Sequence, residues 1–299
     1  MTNISRKVAV IGLGSMGLGM AKTLVSNGWD VAGCDISAKA RDALIDAGGS
    51  AFDSGAAAAK NRCAVLCVVV NSKQTEAILW GEKGVAKAMA PGSVFVSCAT
   101  MAPEYARNFA ARLESDGVHY LDAPISGGAL KAASGELSVM ASGSAKAFEC
   151  ADEVLEAISA KIHCLGDSAG AGSSVKMINQ LLAGVHIAAA CEAIALAAKM
   201  ELDLQVVYDV ICNSAGNSWM FENRVPHVLE GDYSPLSSVE IFIKDLGIVH
   251  DIAHSKHFPA PLSAAALQMY LAAAGAGMAK DDDSSLARIY AQLSGAKLP

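Results

Sequence analysis

The stretch "KVAVIGLGSMGLGMAKTL", residues 7–24, decides how this chain begins to fold. A run of β-branched and small apolar residues leads directly into Gly12-x-Gly14-x-x-Gly17, and a segment with helix-forming alanine, methionine and leucine follows. Strand, glycine turn and helix in that order have a physical reading. The first glycine permits a tight turn, the second lets backbone approach a pyrophosphate, and the third lets the helix pack close to the strand. The helix N-terminus then presents unpaired N–H groups to phosphate oxygens. The next apolar run, "DVAGCD" (30–35), ends in Asp35, 23 residues after Gly12. An acid there accepts hydrogen bonds from adenosine ribose hydroxyls and repels a 2′-phosphate, and no arginine follows it immediately, so the pattern points to NAD over NADP. Gly12, Leu13, Gly14, Ser15, Met16, Gly17 and Asp35 are the expected cofactor residues. The plainer alternative is a structural glycine turn with a solvated aspartate; the agreement of strand, helix and acid counts against it.

Outward from this turn the same rhythm continues. Apolar runs recur at 64–70, 93–97, 118–122 and 137–142, with helix-like segments at 15–27, 38–47, 103–115 and 145–158. "AVLCVVV" (64–70) is apolar throughout, as suits a central strand covered on both faces. After the glycine- and serine-rich "GDSAGAGSS" (166–174), alternation of strand type nearly disappears. Residues 173–200 read as one helix about 40 Å long. The expected fold is α/β: a Rossmann-like doubly wound sheet over 1–167, then an all-helical domain over 168–299 entered by a long interdomain helix.

Composition narrows the function. Of 299 residues, 53% are hydrophobic and only 18% charged, with net charge -7 and no basic run, which argues against a nucleic-acid partner. The eight cysteines form no Cys-x-x-Cys pair and no Cys/His cluster of zinc spacing, so reduced thiols in a cytoplasmic protein without a metal are expected. "MTNISRKVAVIGLG" lacks the long apolar core of a signal peptide, and no uninterrupted apolar run of about 18 residues calls for a membrane span. A helix apolar nearly all round needs cover on every side, which predicts a homodimer or homotetramer.

Two further stretches carry chemistry. In "GSSVKMINQLL" (172–182), Lys176 is a lone cation near the start of an apolar helix, and the next charged residue is Glu192. With Ser173 taken as N-cap, the helix dipole and the apolar surroundings both disfavour its ammonium form. Such an amine can exchange a proton with a substrate hydroxyl. Asn179 and Gln180, at i+3 and i+4, share its face. The bland alternative is a snorkelling lysine, and spacing alone weighs the two equally. In "LDAPISGGALKAASG" (121–135), Ser126, Gly127 and Gly128 follow a strand end and can offer a hydroxyl and backbone N–H groups to an anion, although spacing alone favours an ordinary turn.

Four blocks in order, "IGLGSMGLGMA" (11–21), "DAPISGGALKAASG" (122–135), "GAGSSVKMINQ" (170–180) and "KDLGIVHDIA" (244–253), resemble the β-hydroxyacid dehydrogenase family. The resemblance implies NAD-dependent oxidation of a small hydroxy acid. Lys176 matches the family's essential lysine and Ser126, Gly127 and Gly128 its carboxylate loop; Asn179 or Gln180 matches its orienting amide. Val70, Asn71, Thr100 and Lys244 match cofactor contacts, although many relatives have Leu-Pro where Val70 and Asn71 stand. The C-terminal segments resemble a branch acting on four-carbon sugar acids such as L-threonate, oxidised at C2. 3-Hydroxyisobutyrate oxidation and tartronate semialdehyde reduction are the alternatives, and a non-catalytic dinucleotide-binding relative is disfavoured because Lys176 is present. Other features read as structural: His186 as a hydrogen-bonded core residue, and Asp281, Asp282 and Asp283 as a solvated helix start. The polar segment 213–221 is expected to shape a substrate pocket.

Overall fold

The structure, a computed structural model, describes residues 6–299. Met1–Ser5, part of the segment read against a signal peptide, lies outside the described residues. The chain divides into two compact units, Met1–Lys176 and Met177–Pro299.

In the first unit, β1 (Lys7–Ile11), α1 (Ser15–Ser26), β2 (Asp30–Cys34), α2 (Ala38–Ile45), β3 (Ser50–Phe52), α3 (Gly55–Ala59), β4 (Ala64–Cys67), α4 (Ser72–Trp80), β5 (Val94–Ser97), α5 (Pro103–Ser115) and β6 (His119–Asp122) succeed one another. The six strands form one parallel sheet of order β3-β2-β1-β4-β5-β6. Its direction of winding reverses between β1 and β4, and in such sheets ligands bind beyond the strand C-termini at that point. Side chains alternate across the sheet, as the strand period of two requires. Val8, Val10, Leu66, Val94 and Val96 enter one apolar core. Ala9, Ile11, Val65, Cys67 and Phe95 enter another, with Phe109 and Leu113 of α5. Because both faces are covered, each fully buried valine or leucine contributes roughly 1.5–3 kcal/mol.

A second, three-stranded sheet follows, made of β7 (Ile125–Ser126), β8 (Leu137–Ala141) and β9 (Ser159–Cys164), with α6 (Gly128–Ser134) and α7 (Ala145–Ile158) between them. β7 runs antiparallel to β8 and β9 parallel to it. An isolated bridge between Asp122 and Ser142 continues β6 alongside the end of β8.

Helix α8 (Ala171–Lys199) begins in the first unit and continues into the second, which adds α9 (Leu204–Cys212), α10 (Trp219–Glu230), α11 (Val239–Ser255), α12 (Pro261–Ala273) and α13 (Leu286–Ser294). The core of the second unit gathers Ile187, Cys191, Ile194, Phe221, Phe242, Leu246, Tyr270 and Leu286. Phe242 and Tyr270 stack at 5.3 Å, and the Tyr270 hydroxyl donates to the Gly184 carbonyl at 3.0 Å. Among the described residues, α8 is the one helix long and apolar enough to cross a membrane, and half of its most apolar stretch is buried.

Three expectations are corrected. His186 is exposed on α8 rather than a core residue, because the core face of that helix is supplied by Ala183, Ile187, Ala190 and Ile194. Asp282 and Asp283 are fully buried rather than solvated. Asp283 receives two bonds from Arg224, Nε to Oδ1 at 2.6 Å and Nη2 to Oδ2 at 3.2 Å, while Asp282 accepts from the N–H groups of Leu236, Ser237 and Ser284. Finally, α8 starts two residues before Ser173, so that serine is not its N-cap.

All eight cysteines are free thiols. Cys67, Cys98 and Cys191 are buried, whereas Cys164 is exposed at the end of β9.

Candidate active site

The glycine turn is built at the switch of the large sheet. Gly12 has φ +94° and donates its N–H to the Cys34 carbonyl at 2.9 Å. A side chain at Gly12 would run into the Val68 carbonyl, and one at Gly17 into the Gly12 carbonyl. Around Gly14, by contrast, no atom lies within 4 Å of where a Cβ would stand. Gly12 and Gly17 are thus fixed by packing inside the protein, while the space left at Gly14 fits a dinucleotide pyrophosphate. No side chain caps the start of α1, so its first N–H groups remain available for phosphate oxygens. Leu13 donates its N–H to Asp35 Oδ2 at 2.6 Å, and Ser37 donates to Oδ1 at 2.8 Å. This brings Gly12, Leu13, Gly14, Ser15, Met16, Gly17 and Asp35 together. Six residues on, Arg41 donates from Nη1 to the Asp35 backbone carbonyl at 2.6 Å rather than standing free beside the carboxylate.

The remaining cofactor candidates of the first unit also follow strand C-termini. Val70 is exposed beyond β4, and Asn71 is the N-cap of α4, its Oδ1 accepting from the Gln74 N–H at 2.9 Å. Gln74 Oε1 accepts in return from the Val70 N–H at 2.9 Å. Thr100 lies in the connection from β5 to α5.

The loop at 126–128 leads into a helix that packs on α1. Gly127 and Gly128 have φ +134° and +76°, conformations that tolerate little but glycine. A Cβ at Gly128 would meet nothing within 4 Å, so its backbone is open to a ligand. Helix α6 opens at Gly128 and lies in backbone contact with α1, where a Cβ at Gly19 would stand only 3.0–3.2 Å from atoms of Ala132 and Ala133. Thr23 Oγ1 donates to the Ala132 and Ala133 carbonyls at 3.2 and 3.0 Å. The loop carrying Ser126 is therefore tied to the helix that opens the cofactor turn.

Lys176 is 6% exposed and closes the first unit. The helix that carries it is capped from elsewhere in the chain. Asp122 Oδ2 accepts from the N–H of Gly170 at 2.9 Å and of Ser173 at 2.8 Å, and Oδ1 accepts from the Ser173 hydroxyl at 2.7 Å. Ser142 Oγ accepts from the Gly172 N–H at 3.0 Å. Burial pushes the Asp122 carboxyl above its usual range, and the bonds from Ser173, Gly170 and Ser142 oppose that rise.

In the second unit the sequence candidates form one chain of bonds. Asn179 Nδ2 donates to Gln180 Oε1 at 2.9 Å, and Gln180 Nε2 donates to Asp245 Oδ2 at 2.5 Å. Lys244 Nζ lies 2.7 Å from Asp245 Oδ1. Gln180 therefore has its carbonyl and its amino group both engaged within the protein, whereas half-buried Asn179 takes part in this chain of bonds through its amino group. Sequence reading missed Asp122 and Asp245. The signal for Asp245 was present: it falls between Phe242 and Leu246 on the buried face of α11, where an acid needs a partner. The polar segment 213–221 is engaged locally. Asn213 and Ser214 bond to carbonyls of α9, and Asn217 bonds to the Cys212 carbonyl and to Glu222.

A glycine turn at the sheet switch, an acid just beyond β2 and a buried lysine near the start of α8 are the features of a nicotinamide-dependent dehydrogenase. Comparison with known proteins agrees. Residues 7–166 match the family described as the NAD binding domain of 6-phosphogluconate dehydrogenase, and residues 170–290 match the NAD-binding domain of NADP-dependent 3-hydroxyisobutyrate dehydrogenase. The chain is 52% identical to an L-threonate dehydrogenase of Cupriavidus necator, covering 96% of this chain and 97% of that one. It is 49% identical to an L-threonate dehydrogenase of Escherichia coli, covering 98% and 96%. A crystal structure of 3-hydroxyisobutyrate dehydrogenase from Salmonella typhimurium superposes with TM-score 0.91 at 46% identity, covering 95% of this chain and 99% of that one. The chain belongs to the β-hydroxyacid dehydrogenase family, as an NAD-dependent oxidoreductase acting on the CH–OH group of a hydroxy acid.

Proposed function

We propose that the enzyme oxidises L-threonate at C2 to 2-oxo-threonate. The observation that carries this reading is the near-full-length similarity, at about half identity, to enzymes named L-threonate dehydrogenase. Bound NAD supplies the hydride acceptor. Around it, Asp35 takes the adenosine ribose hydroxyls, the Gly12–Gly17 turn takes the pyrophosphate, and Val70, Asn71, Thr100 and Lys244 line the cofactor. Ser126, with the N–H groups of Gly127 and Gly128, holds the substrate carboxylate. Lys176 Nζ removes the hydroxyl proton as the carbonyl forms, and returns it in the reverse direction. Of the two candidate amides, Asn179 orients the hydroxyl, because Gln180 already bonds at both ends of its amide. Functionally, residues 1–167 are the NAD-binding domain, which also carries the carboxylate loop at 126–128, and 168–299 serve substrate and assembly, with Lys244 contributing to the cofactor.

The Salmonella likeness favours a second reading, oxidation of 3-hydroxyisobutyrate, with tartronate semialdehyde reduction beside it. NADH formation measured against L-threonate, 3-hydroxyisobutyrate and other hydroxy and sugar acids decides between them. The highest kcat/KM is expected for L-threonate, and a preference for 3-hydroxyisobutyrate overturns the proposal.

The enzyme also assembles as a homodimer or homotetramer. Ile178, Leu182 and Leu196 leave 61%, 48% and 59% of their surfaces exposed on α8, and Met200 just beyond its end leaves 61%, apolar surface that needs a cover. A monomer by size-exclusion with light scattering would refute this. Its eight free thiols fit a reducing cytoplasm.

A further inference from the structure

We propose that Asp122 is the positioning residue of Lys176, the group that fixes the proton-exchanging amine relative to the substrate carboxylate loop. The inference rests on the assignment of Lys176 above. Asp122 stands at the junction of three segments. It ends β6, its backbone exchanges two hydrogen bonds with Ser142 beyond β8, and it precedes Ser126 by four residues in a loop confined by a short strand and two left-handed glycines. Its carboxylate gathers three donors from the start of α8, at 2.7, 2.8 and 2.9 Å. Two of these come from Ser173. That residue lies three positions before Lys176, so both share one helix face and are separated by about one turn. The approach is tight: a side chain at Gly172 would collide with the Met140 carbonyl and stand 2.7 Å from the Asp122 carbonyl oxygen. The helix thus has one seat on β6, and the carboxylate locks it.

A helix start requires only that its first N–H groups find acceptors, and a local serine, threonine or asparagine ordinarily supplies one. Here the acceptors are Asp122 and Ser142, 51 and 30 residues earlier than the groups they bind. The cap is also a registration device. It couples the backbone that presents the substrate anion site to the helix that presents Lys176. Misplacing a reacting group by about 1 Å is enough to cost on the order of a hundredfold in rate.

The test compares Asp122→Asn, Ser173→Ala, Ser173→Thr and Ser174→Ala with Lys176→Ala. Asp122→Asn keeps the shape but places an amide among N–H donors. Ser173→Ala removes one donor, and Ser173→Thr restores the hydroxyl. Ser174, whose hydroxyl donates to the Gly170 carbonyl at 2.7 Å, is the control one residue along. For Asp122→Asn and Ser173→Ala, kcat is expected to fall ten- to a hundredfold and the limbs of the kcat–pH profile to move. NADH binding by fluorescence titration should stay within about twofold, because the glycine turn between β1 and α1 makes none of these bonds. Ser173→Thr should recover most of kcat, and Ser174→Ala should match the parent. If Lys176→Ala is inactive while Asp122→Asn and Ser173→Ala keep the parental kcat and pH profile, the inference about Asp122 is wrong. If Lys176→Ala is itself active, the reading of Lys176 fails first. If Asp122→Asn does not fold, the serine pair decides: equal kcat and pH profile for alanine and threonine at 173 overturns the proposal.

Discussion

At the scale of single residues, the site separates groups that belong to the ligand from groups that belong to the protein. On the proposed reading Asp35 belongs to both, since the backbone N–H groups of Leu13 and Ser37 already orient its carboxylate. Replacing it with alanine should raise the kcat/KM of NADP relative to NAD by at least tenfold, as measured with both cofactors on one substrate; an unchanged ratio would show that Asp35 does not select. The two amides on α8 should part company in the same way. Gln180→Leu withdraws a donor from buried Asp245 and should cost about 1–3 kcal/mol of stability by urea unfolding. Asn179→Ala should leave stability within about 0.5 kcal/mol and lower kcat instead. Lys176 was legible in the sequence because a lone charge on an apolar helix stands out. The bonds holding that helix were not, because their acceptors lie far away along the chain.

At the scale of elements, the turn from β1 to α1 offers the cleanest contrast. Gly14→Ala introduces a methyl group where the protein has no atom within 4 Å, so the melting temperature should hold while KM for NAD rises at least tenfold. Gly17→Ala forces Cβ against the Gly12 carbonyl and should lower the melting temperature by several degrees. Equal effects of the two substitutions would contradict this division of labour. The same element was the most legible part of the fold, since β1, β4 and β5 bury both faces and read as unbroken apolar runs. By contrast, β9 was invisible: "SAKIHC" is mostly exposed and carries no alternation, and its place beside β8 is set by α7 rather than by its own pattern. β3, three residues long, left no periodicity to detect.

At the scale of the whole molecule, the second unit depends on a charge pair that sequence placed at the surface. The acid run at 281–283 looks solvated until Arg224, 59 residues from Asp283, is brought against it. Burial pushes the Asp283 carboxyl up to about 6 from its ordinary 3.8, with Arg224 opposing. Stability from this carboxyl is therefore full below about pH 4 and is lost as pH rises through about 6. Arg224→Met removes the opposing charge. It should destabilise the protein by about 3–5 kcal/mol at pH 8 and by clearly less at pH 5, where Asp283 takes up a proton. A penalty independent of pH would rule out an ionised Asp283.

The buried cysteines have a practical consequence for following such losses. Burial pushes the Cys98 thiol up to about 12 and the Cys67 and Cys191 thiols up as well, so none presents a thiolate to an alkylating reagent while its surroundings are closed. Cys67 and Cys98 lie in the first unit and Cys191 in the second. Alkylation of each, timed by mass spectrometry under mild denaturant, becomes a separate clock for the opening of each unit. Arg224→Met should advance the clock at Cys191 while leaving those at Cys67 and Cys98 running at the parental rate.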